Sequence, residues 1–164
     1  MEKIEINFKS QFKNWNGFFL QLAILIPFAS YSYYKYKIEM VLYPYYLFII
    51  TNFIFTVYLH VAYYTKNRGE KFIIEKHKIE RIKNEKKEIF YSSDIKKIVI
   101  CKSTNMDKWG IPYTTFESFR IAIVYLKSGE NFIMTNLLTY DIEKPLSIIE
   151  NVQFERRRGF SFFI

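Results

Sequence analysis

Two long stretches of this sequence carry no Asp, Glu, Lys or Arg, and only Lys35-Tyr36-Lys37-Ile38-Glu39 lies between them. The first runs from Asn14 to Tyr34 and the second from Met40 to Thr65. A helix needs about 20 mainly apolar residues to cross the hydrocarbon core of a bilayer, and each stretch is long enough. Together they read as a transmembrane helical hairpin over residues 14–65, entering the membrane and returning.

The mean hydropathy of the whole chain, −0.07, conceals this because an apolar front is averaged with a charged back. The net charge of +8 comes from 24 Lys plus Arg against 16 Asp plus Glu. Cytoplasmic flanks of membrane helices are enriched in Lys and Arg. Lys66, Arg68, Lys71, Lys76, Lys78, Arg81 and Lys83 follow the second stretch, and Lys3, Lys9 and Lys13 precede the first, whereas the connection has only Lys35 and Lys37. Both termini are therefore expected in the cytoplasm, with a two-span protein seated in the cytoplasmic (inner) membrane. Nucleic acid is not an expected partner: Glu70, Glu75, Glu80, Glu85 and Glu88 interrupt the basic residues, and no nucleic-acid-binding signature is present. A cleaved signal peptide is disfavoured by Gln21, Pro27 and a Tyr-Ser-Tyr-Tyr ending without a small-x-small site.

Aromatic residues mark the expected interfaces, with Trp15 at the start of the first span and Tyr31, Tyr33, Tyr34 and Tyr36 at its end. Gln21, Asn52 and His60 are the intramembrane polar groups. Such groups usually face another helix, so they are expected at contacts across the hairpin or within a homo-oligomer; tolerated polar residues are the plainer alternative. Ahead of the hairpin, residues 1–13 place Ile4, Ile6 and Phe8 in alternation with Glu5 and Asn7. Period two marks a half-buried strand, which would have to join a sheet further along the chain; a frayed lead-in to the first helix is the other reading.

Beyond Gly69 the signals are those of strands. Ile95 to Ile100 and Phe119 to Leu126 are rich in β-branched and aromatic residues, and Lys127-Ser128-Gly129-Glu130-Asn131 is a hairpin turn before Phe132-Ile133-Met134-Thr135. Ile142, Leu146, Ile149 and Val152 then recur at helical spacing, which predicts a closing amphipathic helix over about 140–153. Residues 156–164 are expected to form a basic and apolar tail.

This order of elements resembles bacterial membrane-anchored pleckstrin-homology-like (PH-like) proteins of the YcxB-like type. The shared features are a β-like Lys3-Ile4-Glu5-Ile6-Asn7-Phe8 segment, a membrane hairpin, an Asp94-Ile95-Lys96-Lys97-Ile98 step, a strand-Ser-Gly-Glu-strand hairpin and a final helix. The resemblance implies an α+β membrane protein: a two-helix transmembrane hairpin plus a cytoplasmic antiparallel PH-like partly open β-barrel over 66–155, capped by the C-terminal helix. It transfers no catalytic signature and does not imply phosphoinositide binding.

The residues themselves offer little chemistry. The chain lacks a glycine-rich phosphate loop, a paired-histidine zinc motif and a Gly-x-Ser-x-Gly elbow. One cysteine, Cys101, excludes an internal disulfide and reads as a small buried side chain. No enzyme activity, metal or cofactor is expected. The connection Ser103 to Glu117 is unusually rich in rings, so Trp109, Ile111, Tyr113 and Phe116 are candidate contacts to a protein partner; packing over the barrel or into the headgroup region is the alternative. Lys66, Arg68, Lys71, Arg156, Arg157 and Arg158 are candidate contacts to anionic lipid, each attracted by roughly 1 kcal/mol near such a surface. The expected function is a non-enzymatic, membrane-anchored interaction module, presented to a protein partner or the inner leaflet. An immunity protein against a membrane-acting toxin and an accessory subunit of a membrane assembly are the rivals.

Overall fold

Strand segments in this chain are of two kinds. Residues 70–91 mix charged with apolar side chains, whereas Ile98-Val99-Ile100-Cys101 and Ile121 to Leu126 are unbroken apolar runs. Alternation suits a strand with one buried face, and a solid run suits one buried on both. A computed structural model of the chain describes residues 1–37, 42–110, 112 and 114–159, and shows a mixed α+β fold with that distinction built in.

Strands β1 (Glu2–Glu5), β2 (Glu70–Glu75), β3 (Lys78–Lys83) and β4 (Lys86–Tyr91) form one antiparallel sheet in chain order. The second sheet has the order β7-β6-β5-β8, from β5 (Ile95–Lys102), β6 (Ile121–Leu126), β7 (Asn131–Thr135) and β8 (Gln153–Arg158). Ile4, Phe72, Ile74 and Ile79 of the first sheet meet Ile98, Ile100, Ala122, Val124, Phe132 and Met134 of the second in one core. The alternate residues of the second sheet, Val99, Cys101 and Ile121, are also buried, in a separate cluster on its far side.

That far side is covered by a helix from the apolar front of the chain. The front folds into α1 (Phe8–Asn14), α2 (Asn16–Tyr36) and α3 (Tyr43–Asn67). The expected first span thus begins later than Asn14, which closes the separate helix α1, while Met40 and Val41 lie outside the described residues. Helices α2 and α3 run antiparallel, with Phe18 against Phe53 at 5.7 Å and Phe28 against Tyr45 at 5.9 Å between ring centres. Among the described residues, α3 is the one helix long and apolar enough to cross a membrane. Its buried residues are Asn52, Thr56, Leu59, Tyr63 and Asn67, a stripe at spacings of three and four. Leu59 and Tyr63 pack on Val99, Cys101, Phe119 and Ile121, with Tyr63 edge-on to Phe119 at 5.1 Å. At the helix end the Asn67 side chain donates to the Ile133 carbonyl and accepts from the Thr135 amide, at 2.9 and 2.8 Å. It thereby occupies backbone groups of the edge strand β7.

Two expectations need correction here. Residues 140–153 hold a single helical turn, α5 (Glu143–Leu146). Ile142, Leu146 and Ile149 are buried as their spacing demands, but the Glu150 amide donates to the Lys76 carbonyl at 2.9 Å, and Asn151 takes a left-handed φ of 61°. The chain then leaves the helix and extends. Residues 153–158 form β8, which pairs in parallel with β5, so the second sheet is mixed, and Arg156 to Arg158 belong to a strand rather than to a tail.

Docking of α3 generates a prediction. Leu59 is fully buried against the sheet, whereas Val57 faces away. Leu59→Ala should lower the stability of the detergent-purified protein by about 2–5 kcal/mol, as core truncations do. Val57→Ala should change it by less than about 0.5 kcal/mol, because that side chain keeps the same surroundings whether or not the β-domain is folded. Thermal melts followed by circular dichroism compare the two.

Candidate functional site

The junction between hairpin and sheets brings together Asn52 and the connection that follows α4. Ser103 caps α4 (Thr104–Lys108) by accepting from the Met106 amide at 3.2 Å. The chain then returns through a 3-10 turn, Thr115–Ser118, lodged between α2 and α3. Glu117 ties the two pieces together: its carboxylate accepts from Asn105 at 2.7 Å and from the Thr114 amide at 3.1 Å.

The fit against α2 depends on a glycine. A Cβ at Gly17 would stand 2.9 Å from the Ser118 hydroxyl and 3.4 Å from the Thr115 backbone. On the α3 side the Thr115 hydroxyl donates to Asn52 at 3.4 Å, while the Asn52 amide donates to the Phe48 carbonyl at 2.9 Å. Asn52 therefore bonds to the ring-rich connection of its own chain. His60 is likewise occupied, receiving the Trp15 indole N–H at 3.2 Å. Gln21 is half-buried on α2.

The four aromatic and aliphatic candidates of the connection do not form one described patch. Trp109 stands open, 69% exposed, at the end of α4. Phe116 turns inward and packs on the cluster around Leu59 and Tyr63. Ile111 and Tyr113 lie outside the described residues. Of this set, Trp109 is the described side chain free to meet something beyond the protein.

The basic candidates divide as well. Lys71 pairs with Glu5 at 3.1 Å, across the β1–β2 register. Arg156 pairs with Glu143, and Arg158 with Asp107 at 2.6 Å. Lys102 joins this group, 2.9 Å from both Asp107 and Glu143. Two arginines expected to meet lipid therefore clamp β8 to α4 and α5. The reason is register: Arg156 and Arg158 lie opposite Ile100 and Lys102 of β5, and the carboxylates converge at that end of the strand. Lys66, Arg68 and Arg157 remain exposed.

Several structural residues were not singled out from the sequence. Asn136 donates to the Asn14 side chain at 2.6 Å and to the Ser118 carbonyl at 2.8 Å, and the Ser10 hydroxyl donates to the Leu137 carbonyl. Glu70, its side chain 1% exposed, accepts from Asn67, Arg81 and Lys83. Asn14 and Asn67 flank the charge-free stretches, and the Asn67 position on the Asn52–Thr56–Leu59–Tyr63 spacing is the signal that marks it. Among the described residues no cluster of His, Cys, Asp and Glu could hold a metal ion.

The ionic clamp has a pH signature. The Lys102 hydrogen bond holds the Asp107 carboxyl below its ordinary value of 3.8. Burial pushes Glu143 up, but bonds from Lys102 and Arg156 outweigh it and leave it below 4.5. Carboxyls with lowered folded-state values contribute stability above their ordinary titration range, and that contribution is lost as pH falls through the lowered values. The melting temperature should hold down to about pH 5 and then drop. Lys102→Met should lower it at neutral pH and flatten the acid drop; an equally steep drop in the variant would show that the clamp is not its source.

No protein-family model, curated protein or solved structure matches this chain.

Proposed function

We propose that this protein is a non-enzymatic membrane-anchored module: α2 and α3 cross the cytoplasmic membrane as a hairpin, and the two sheets form a PH-like domain held against the cytoplasmic leaflet. The observation that carries the reading is the surface of the hairpin. Leu20, Ile24, Phe28, Leu47, Ile50, Ile54 and Phe55 are all between 45% and 68% exposed. Contiguous apolar surface on this scale does not stay in water, and helices satisfy their own backbone groups, as a lipid environment requires.

The orientation follows from the flanking Lys and Arg residues. The mode of attachment is a further support. Leu59, Tyr63 and Asn67 make the end of α3 part of the domain, so the domain does not swing on a tether. It presents a fixed face to the leaflet, with Lys66, Arg68 and the Trp109 ring exposed. Asn52 and His60 have bonding partners within the chain, which favours a self-contained anchor over a subunit that needs neighbouring helices.

Fractionation and labelling test this together. The protein should stay in the membrane pellet after a high-salt wash. A Cys101→Ser protein carrying Lys37→Cys should react with a membrane-impermeant maleimide in intact cells, while tags at either terminus stay protected until lysis. A soluble protein, or termini on opposite faces, would end the proposal.

A further inference from the structure

One surface feature has no role in the anchor as described. It lies where α1 meets the connection between β7 and α5. Asn7, Lys9, Ser10 and Lys13 face Thr139 and Tyr140 across an open cleft of about 240 Å³. The Lys13 ammonium stands 5.2 Å from the centre of the Tyr140 ring, and the Arg120 guanidinium stands 4.6 Å from the same centre. Two cations thus share one ring. Of the nearby acids, Glu5 pairs with Lys3 and Lys71, and Asp141 is exposed and does not line the cleft. Arg120 also has Nε and Nη2 buried without an acceptor. Cations gathered in this way repel one another, and an anion in the cleft relieves that repulsion.

A phosphate group fits this chemistry, and it could arrive as free phosphate or on a phospholipid. The surroundings favour the lipid. Ser10 and Asn14 bind the β-domain, which turns the Phe8 and Phe12 stripe of α1 outward and sets Lys9 and Lys13 beside it. Phe8, 80% exposed, stacks on Phe12 at 6.1 Å, and Phe12 reaches Phe19 of α2 at 5.4 Å. The apolar face of the hairpin therefore continues onto α1, next to the basic cleft. Aromatic side chains next to lysines are the arrangement of helices that lie in the membrane interface. We infer that the Lys9–Lys13–Tyr140 cleft, with Arg120 against the same ring, binds the phosphodiester of an anionic phospholipid, while Phe8, Phe12 and Phe19 lie along its acyl chains. The inference rests on the membrane-anchored reading above and adds a ligand to it.

The test uses the full chain in a neutral detergent. Short-chain phosphatidylglycerol, short-chain phosphatidylcholine and inorganic phosphate are titrated separately, and bound molecules are counted by native mass spectrometry. One phosphatidylglycerol should be retained per chain, in preference to phosphatidylcholine. Lys9→Gln with Lys13→Gln should weaken it by about tenfold or more, and Arg120→Gln should weaken it while Arg120→Lys retains it. Lys96→Gln with Lys127→Gln, exposed lysines with no part in the cleft, should leave it unchanged. If Arg120→Gln fails to fold, the Lys9 and Lys13 variants decide the matter. Equal retention of phosphatidylcholine, unchanged affinity in the Lys9 and Lys13 variants, or an equal loss in the Lys96 and Lys127 variants would overturn the site. Inorganic phosphate binding as tightly as the lipid would make it a free-anion site and overturn the lipid assignment. Any of these results from a chain that still pellets with membranes removes the headgroup site alone, whereas a chain found in the supernatant removes the anchor first.

Discussion

The structure depends on one contact: the buried stripe of α3 lying on the outer face of the β7-β6-β5-β8 sheet. A four-stranded sheet has two faces, and the first sheet covers only one of them. Without α3, the side chains of Val99, Cys101 and Ile121 would face water. Each apolar side chain of this size is stabilised by about 1.5–3 kcal/mol on full burial, so covering the second face contributes at the scale of a whole domain's net stability. The same contact removes Leu59 and Tyr63 from lipid or water. Hairpin and β-domain therefore complete each other's cores.

Polar residues then fix how the pieces meet. Apolar packing is non-directional, and a helix could slide on a sheet at little cost. Asn67 bonds to backbone groups of β7, Asn136 bonds to Asn14 and Ser118, and Asn52 meets Thr115. Each is a buried amide with specific partners, and leaving any of them unpaired is costly. They set the position of α1 and α3 against the β-domain. Glu70 extends this to the first sheet, since it bonds Asn67 on the helix end and Arg81 and Lys83 on β3. The edge of β7, otherwise open to pairing with another strand, is occupied by Asn67.

The consequence for function is geometric. Because the end of α3 is built into the domain, a hairpin that spans the membrane as proposed would also set which face of the domain looks at the leaflet. Helix α1 is held in the same frame through Ser10 and Asn14, and its aromatic stripe continues that of α2. On the proposed reading, a surface made of such parts would need no ordering on meeting lipid, which lowers the entropic cost of binding a ligand there.

Sequence alone determined the local character of the chain. The absence of charge from 14–34 and 40–65 marks apolar helix, and the unbroken runs at 98–101 and 121–126 mark strands with no wet face, because these patterns are properties of neighbouring residues. The alternation at Ile4 and Ile6 is local in the same way, but it carries no information about which strand takes β1 as its neighbour. Tertiary structure alone decided the rest. The helical spacing through 142–152 is present and Ile142, Leu146 and Ile149 are buried, yet a backbone bond from Glu150 to Lys76 and the turn at Asn151 convert its end into the approach to β8. Arg156 and Arg158 look like lipid ligands until a parallel pairing with β5 brings them to Glu143 and Asp107. Tyr140, Lys13 and Arg120 have no pattern in common along the chain; only the fold brings them together. Periodicity reports what a residue's own element needs, whereas a partner far along the chain is chosen by packing, which no local window contains.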